Sequence, residues 1–511
     1  MMPPDHSAPP PLTGSRLILA AVVLGLANFM VLLDTTIANV SLSHISGSLG
    51  VSATQGTWII TSYAVAEAIC VPLTGWLAGR FGTLKTFTWA LGGFTLFSTL
   101  CGLSPTLGSL IACRVLQGMC GGPLMPLSQT LLLRIFPKAK AGAAMAVAAV
   151  TTIVAPITGP ILGGMISDNW SWPWIFFINL PVAAVCIVGA LRLLPPYETK
   201  KISNRIDLVG LALLIVWVGA FQLVLDLGRE YDWFGSPIIV SLSIVSGITF
   251  LAFLIWELTD DHPIVDLRVL RHRGFTAGAV AISVGFGTIY SSVVLVPLIL
   301  QSQVGYTATW AGFAMSTMGV FAILLAPIAG RMGNWIDIRW SVCAGLMWLG
   351  VVSFLRSHWS LDLGFWSYAM PQLLQGLGTP FFMIGLMVLA LGSVPQNEVA
   401  SAAGLMAFMR TLGTALATSI CTTQWETGTQ TARAELAAVV NGGQAFIDRL
   451  VMAGFSPQQA RGSLAQMVEQ QAASISSNGL FVVIGFLCIA AAQLVWLIPK
   501  PRKNVPPPMA H

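Results

Sequence analysis

The chain has 511 residues, 55% of them hydrophobic and only 9% charged, with a formal net charge of +5 and a mean hydropathy of +0.79. A soluble domain carries about 25% charged residues. The composition therefore excludes a soluble globular protein and gives an all-α integral membrane protein of many spans, each of roughly 20 apolar residues. The positive balance does not point to nucleic acid, because the basic residues sit in short segments between apolar runs.

Fourteen such runs follow one another, at about 17–41, 56–78, 86–104, 107–133, 141–166, 174–194, 206–226, 237–257, 275–300, 309–330, 340–356, 367–392, 401–421 and 479–499. Residues 1–15 are Pro-rich and polar and read as a disordered tail. No small-residue cleavage site follows the first run, so it reads as a span and not as a removed signal peptide. With the N-terminus inside, eighteen of the 25 lysines and arginines fall on cytoplasmic segments: Arg16, Arg80, Lys85, Arg134, Lys138, Lys140, Arg192, Lys200, Lys201, Arg205, Arg268, Arg271, Arg273, Arg331, Arg339, Lys500, Arg502 and Lys503. Arg229, Arg356, Arg433, Arg449 and Arg461 fall outside, and Arg114 and Arg410 lie within runs. This asymmetry puts both termini in the cytoplasm.

The eight cysteines (70, 101, 113, 120, 186, 343, 421 and 488) lie in or at the ends of apolar runs and form no C-x-x-C pair. They read as small core residues, with no disulfide framework and no metal site. The chain carries no phosphate-binding G-x-x-x-x-G-K-[ST], no H-E-x-x-H and no G-x-S-x-G, which argues against an ATP-driven pump, a zinc protease and an α/β-hydrolase. No cofactor is implied and the chain does not read as an enzyme.

The two halves repeat. Pro72-Leu-Thr-Gly75 matches Pro327-Ile-Ala-Gly330 at an offset of 255, and Leu116-Gln-Gly118 matches Leu374-Gln-Gly376 at 258. The first and ninth runs also start 258 residues apart. The expected organisation is a tail (1–15), a six-helix bundle (16–200), two inserted helices (201–274), a second six-helix bundle (275–499) and a short tail (500–511). Residues 422–477 form a long polar external loop with helical segments near 424–440 and 457–471. It reads either as a tolerated surface insertion or as a docking surface.

A charge in mid-span costs roughly 2.5–3.5 kcal/mol on insertion scales, so it needs a reason. Asp34 in the first run and Arg114 in the fourth lie at matching depth, roughly 9–10 Å from the outer ends at 1.5 Å per residue. Glu67 lies near the midplane of the second run. Burial disfavours a charged carboxyl and a nearby guanidinium favours it, so water access and distance from Arg114 can decide whether Asp34 or Glu67 holds a proton. A static structural pair, and a protonated core glutamate, remain open for the same residues. Arg410 in the thirteenth run has no evident acidic partner in its half; an anionic substrate and backbone carbonyls both remain open. Tyr290, Phe381, Phe382 and Met406, with Met383 and Met409, are candidates for an adaptable apolar pocket.

Two motifs remain. Gly75-Trp-Leu-Ala-Gly-Arg80-Phe-Gly82-Thr-Leu-Lys85 joins the second and third runs on the inside; its glycines permit a tight turn and its basic residues can grip helix ends. Val154-Ala-Pro-Ile-Thr-Gly-Pro-Ile-Leu-Gly-Gly164 spaces Ala155, Gly159 and Gly163 four apart on one bare helix face, where a neighbour can approach backbone to backbone. Pro156 and Pro160 each remove a helix hydrogen bond, which a membrane helix braced by neighbours tolerates. The same spacing fits an ordinary packing seam.

Together these stretches resemble the fourteen-span drug:proton antiporters of the major facilitator superfamily. Residues 154–164, ending on Gly163 and Gly164, are similar to their fifth-span motif, and Leu33-Asp34-Thr-Thr-Ile-Ala-Asn39 to their first-span signature. Residues 75–85 are similar to their loop motif, with Gly79 where an Asp is usual. Arg114-Val-Leu-Gln-Gly118 is similar to the fourth-span motif, and Trp174-Ile-Phe-Phe-Ile-Asn-Leu-Pro181 to the sixth-span start. The resemblance implies a major facilitator fold of 14 transmembrane helices (6+2+6) with substrate at the midplane. It also implies proton-driven efflux of hydrophobic drugs across a bacterial inner membrane, a proton as the only coupling ion, and partners in the form of a periplasmic adaptor and an outer-membrane channel. The rivals are a proton-coupled importer of the same fold and a membrane scaffold or sensor that does not transport.

Overall fold

The computed structural model describes residues 10–51, 53–137, 140–199, 201, 207–228, 231–260, 263–360, 363–395, 398–440 and 444–499. The rest of both tails, and Lys138, Lys200, Arg205 and Arg229 of the charge pattern, lie outside the described residues. A chain in lipid must satisfy its backbone polar groups internally, and among the described residues every regular element is a helix. The first half holds α1 (Gly14–Val40), α2 (Leu42–Leu49), α3 (Ala53–Cys70), α4 (Thr74–Phe81), α5 (Thr83–Gly102), α6 (Leu107–Gly121), α7 (Leu124–Ile135), α8 (Ala141–Asn169), α9 (Trp174–Phe177) and α10 (Asn179–Leu193). Then come α11 (Leu208–Leu227) and α12 (Pro237–Thr259). The second half holds α13 (Arg273–Ser302), α14 (Ala308–Trp335), α15 (Ile338–Arg356), α16 (Phe365–Gly392), α17 (Val399–Val440), α18 (Gln444–Met452) and α19 (Pro457–Leu494).

Eleven helical stretches are long and apolar enough to cross a bilayer, and two bent pairs raise the number to as many as thirteen. One bent pair is α3 with α4, which meet at 58°. Pro72 lies at that break, where its missing N–H ends α3. The stretch α5 is not among the thirteen, since its threonines and Lys85 dilute its apolar character.

The packing pattern occurs twice. In the first half α1 packs on α8 and α10, α3 on α6, and α5 on α6 and α10. In the second half α13 packs on α17 and α19, α14 on α16, and α15 on α16 and α19. Glycine makes the same close approach in each: Gly118 of α6 abuts the Tyr63 carbonyl of α3, and Gly376 of α16 abuts the Met318 carbonyl of α14. The halves meet where α8 lies along α14 and where α4 and α7 meet α17. Gly142 and Gly330 touch backbone to backbone at one end of the α8–α14 contact, and Gly312 meets Ile161 at the other. The α11 helix bridges α3 and α17, and the Ser419 hydroxyl donates to the Leu225 carbonyl at 2.9 Å. Next to it, α12 keeps Ile244, Ile248, Leu251 and Ile255 exposed, an apolar face suited to lipid.

Two expectations change. Residues 422–477 are not a separate loop: α17 runs 42 residues and α19 runs 38, so both spans continue outward as one antiparallel pair capped by α18. The Trp425 indole donates to Ser477 at 2.9 Å and Ser476 donates to the Trp425 carbonyl at 2.8 Å, which ties the two helices where they leave the bundle. The tail read as disordered through residue 15 is held from Pro10 onward. Tyr197 donates to the Pro10 carbonyl at 2.5 Å, and the Leu12 N–H donates to the Ile135 carbonyl at 3.0 Å.

The Gly142–Gly330 contact leaves no room for a side chain, so Gly142→Leu is expected to part α8 from α14 at that end. Labelling of Ala143→Cys by an impermeant maleimide should rise several-fold when Gly142→Leu is added. Unchanged labelling would show that another contact closes this end.

Candidate functional site

The centre of the first bundle is a buried ion pair. A capping box of Thr106 and Ser109 starts α6, which puts Arg114 two turns into the helix, facing α1 and α3. Arg114 is 0% exposed and Asp34 2%. The Arg114 Nη1 donates to Asp34 Oδ2 at 2.6 Å and to Gln117 Oε1 at 2.9 Å, and its Nε donates to the Ile59 carbonyl at 3.1 Å. Gln117 and Asn179 both donate to Asp34 Oδ1, at 3.0 and 2.7 Å. Asn179 is fixed in turn by Ser98, whose hydroxyl donates to the Phe176 carbonyl. The Tyr63 ring lies 4.2 Å from the guanidinium carbon and Phe176 closes the other side at 5.6 Å. Helices α1, α3, α5, α6, α9 and α10 thus all contribute to one charge pair.

The meeting of Asp34 and Arg114 follows from their matching depth. Gln117 and Asn179 were visible only as members of motifs, and Ser98 and Tyr63 as ordinary polar or aromatic core positions. What identifies them is their place one or two helix turns from the charges. Glu67 sits one turn beyond Tyr63 on α3 and is not part of this cluster. It is half-buried. Arg410 donates to Met125 Sδ at 2.6 Å and lies 5.1 Å over the Phe286 ring. Its contact across the halves is therefore with Met125 of α7, and among the described residues no carboxylate pairs with it.

A small cavity opens beside Phe286. Thr152 and Pro156 of α8 face Phe286, Ile289, Tyr290 and Val293 of α13, with Met318, Thr379 and Met383 behind. Tyr290 stacks on Phe286 at 6.1 Å and Phe382 packs against Phe286 at 5.8 Å. Of the pocket candidates, Tyr290 and Met383 line this cavity; Phe381, Phe382 and Met406 are not among its walls, Phe382 packing against Phe286 and Met406 being buried. Aromatic and methionine content alone does not tell a wall residue from a packing residue.

The Val154–Gly164 seam packs on α1. Gly159 abuts the Thr36 side chain, Gly163 the Ile37 carbonyl, and the Thr36 hydroxyl reaches the Ala155 carbonyl at 3.4 Å. Ala155 is fully buried. Gly164 faces open space, Pro156 faces the cavity, and the Pro160 side chain lies outside the described residues. At the inner loop, Gly75 meets Ser401 of α17 across the halves. Gly82 has φ +98°, a conformation that favours glycine, and a Cβ there would strike the Glu198 carboxylate. Glu198 accepts from the Leu84 and Lys85 N–H groups at 3.0 Å each, so an acid caps the N-terminus of α5. Arg80 and Lys85 are exposed. Two acids and a base lie at the ends of apolar runs. Glu257 is completely buried and accepts from the Val265 N–H at 3.1 Å, and Asp226 is half-buried beside Gln222. Arg356, assigned to an external segment, is 1% exposed.

Residues 24–418 match the Major Facilitator Superfamily. The chain belongs to that superfamily. It is 42% identical to the multidrug export protein EmrB of Escherichia coli over 96% of this chain and 97% of that one. It is 41% identical to the fatty acid resistance protein FarB of Neisseria gonorrhoeae over 96% and 98%. Among solved structures, the proton:xylose symporter XylE superposes with a TM-score of 0.60 at 11% identity, covering 95% of this chain and 96% of XylE. The human organic anion transporter MFSD10 does so at 0.55 and 16%, covering 93% and 100%. These likenesses carry the fold, which is that of a multi-pass membrane transporter and not of an enzyme.

Within the superfamily fold the Asp34–Arg114 pair is buried, so removing one charge strands the other, at about 3–5 kcal/mol. Asp34→Asn is expected to lower the melting temperature of the purified transporter, and adding Arg114→Met to recover most of the loss. Additive losses in the double variant would show that the two charges are not coupled.

Proposed function

We propose that the chain is a proton-driven exporter of hydrophobic drugs and toxic compounds, uncoupler-like weak acids among them, across the bacterial inner membrane. The observation that carries this reading is the buried Asp34 carboxyl group, bonded to Arg114, Gln117 and Asn179 near the end of a helix that α8 grips through bare glycines. A proton on Asp34 cancels the attraction to Arg114 and loosens α1 from α6. Because α8 packs on α1 on one side and on α14 of the other half on the other, a shift of α1 can pass to the interface between the halves. Glu67 is a second carboxyl group in a span for a proton to neutralise, and Arg410 reaches across that interface to Met125 of α7. Alternating access follows from two bundles, residues 16–200 and 275–499, rocking about these contacts.

The names of the relatives, a multidrug export protein and a fatty acid resistance protein matched over nearly the whole chain, support efflux of hydrophobic compounds. The aromatic and methionine walls of the cavity suit such molecules. In this reading α5 is a further span, which gives fourteen spans with both termini cytoplasmic. A membrane potential supplies about 2.3 kcal/mol per charge per 100 mV, or roughly a fifty-fold gradient per proton, so one proton suffices to export a neutral drug. The long pair of α17 and α19 supports a tripartite assembly. At 1.5 Å per residue, 42 residues reach about twice the roughly 30 Å of a hydrocarbon core. The excess stands outside as a docking surface for an EmrA-like periplasmic adaptor, which would lead to a TolC-like outer-membrane channel.

The test is transport in liposomes holding the purified protein under an imposed pH gradient, with a hydrophobic fluorescent drug and a proton probe. Drug movement should require acid on the face that corresponds to the outside, and should fall to the rate of empty liposomes in Asp34→Asn and Arg114→Ala, with a partial loss in Glu67→Gln. Gradient-driven transport unchanged in both acid variants would remove this coupling mechanism.

A further inference from the structure

The second bundle contains a cation without an acid. Arg356 ends α15 and is 1% exposed. Its Nη2 donates to the Gln372 amide oxygen at 2.7 Å, to the Gln375 amide oxygen, and weakly to the Pro371 carbonyl at 3.5 Å. All are neutral acceptors, and among the described residues no carboxylate pairs with it. Arg356 Nε and Gln372 Nε2 are buried donors with no acceptor. They belong to directly bonded side chains, so they lie in one neighbourhood.

This arrangement is the repeat of the Asp34–Arg114 site with its charges redistributed. At the offset of 258, Ser98 corresponds to Arg356, Arg114 to Gln372, Gln117 to Gln375 and Asp34 to Ser292. The helices carry the same register: α6 and α16 start at Leu107 and Phe365, and α8 and α17 at Ala141 and Val399. Phe176 faces the Arg114 guanidinium at 5.6 Å, and Phe481 faces that of Arg356 at 5.8 Å. The Cys488 thiol of α19 donates to the Thr288 hydroxyl of α13 at 3.4 Å. Ser292, one turn on from Thr288, donates to the Thr288 carbonyl at 3.2 Å. The guanidinium and the two glutamines have counterparts in the first bundle's site. The carboxylate does not, because a serine stands where Asp34 would be.

We propose that a monovalent anion from solution, a halide or the carboxylate of a small organic acid, binds at Arg356 and Gln372 in the place that Asp34 fills in the first bundle. A buried charge needs a counter-charge, since leaving it unpaired costs several kcal/mol, and the two orphan donors are what an anion accepts from. A narrow cavity adjoins the site on the Phe481 side: Trp359, which lines it, packs on Phe481 at 5.5 Å, and Ser360 and Ser474 form its mouth. The anion is a fixed counter-ion of the second bundle, whatever the protein transports.

The experiment compares the melting temperature of the purified full chain in detergent in sodium chloride, sodium acetate and sodium gluconate at equal ionic strength. Chloride, acetate or both should raise it by about 2 °C or more over the bulky gluconate, because a ligand of the folded state alone stabilises it. A rise with chloride alone assigns a halide, and a rise with acetate alone assigns a carboxylate. Arg356→Gln should abolish the rise. Ser292→Asp supplies the counter-charge internally, so it should melt higher than wild type in gluconate and gain nothing from chloride or acetate; it decides the matter should Arg356→Gln not fold. Equal melting temperatures of the wild type in all three salts would overturn the proposal. So would a rise that persists in Ser292→Asp and Arg356→Gln.

Discussion

A carboxylate and a guanidinium 2.6 Å apart, both essentially without solvent, are what the first bundle is built to hold. Taking two ions out of water costs several kcal/mol each, and attraction offsets that only when the remaining donors and acceptors are matched. Here the matching draws on most of the bundle and, among the described residues, leaves only Arg114 Nη2 of the pair without an acceptor. Ile59 of α3 and Asn179 of α10 each supply one hydrogen bond to the pair, Gln117 of α6 supplies two, and Ser98 of α5 fixes Asn179. The pair cannot be dismantled at one point without leaving an unsatisfied group elsewhere.

Small residues decide how that pair is felt elsewhere. Lipid gives no hydrophobic drive for helices to associate, so close backbone approach carries the packing. The α1–α8 seam and the Gly142–Gly330 contact lie on the same helix, α8, on faces that meet different halves. A helix bare on two sides can slide against both neighbours without side chains interlocking, and its prolines leave it free to bend.

Much of this was legible in the sequence, and the limits are physical. Apolar run length marks spans because bilayer thickness fixes it, and charge in a span marks a partner because lipid penalises it. That is how Asp34, Arg114 and the bare face of Ala155, Gly159 and Gly163 were found. Arg356 was misread because it follows the last apolar residue of its run, and run length does not distinguish a solvated arginine from one folded back against Gln372 and Gln375. The helical segments near 424–440 and 457–471 were legible, but their fusion with the neighbouring spans into α17 and α19 was not, because composition turns polar there and polarity marks water and not the end of a helix. The contact of Arg410 with Met125 was unreadable because no local pattern spans two bundles.

The two halves share a framework and differ in who supplies the negative charge. In the first bundle the counter-charge of the guanidinium is a side chain of the bundle itself, Asp34. In the second the matching position is Ser292, and the cation, Arg356, stands where the first bundle has Ser98. Among the described residues no acid of the repeat answers Arg356, so a counter-charge for it has to come from outside the repeat. The two bundles thus keep the same helix packing while burying different charges.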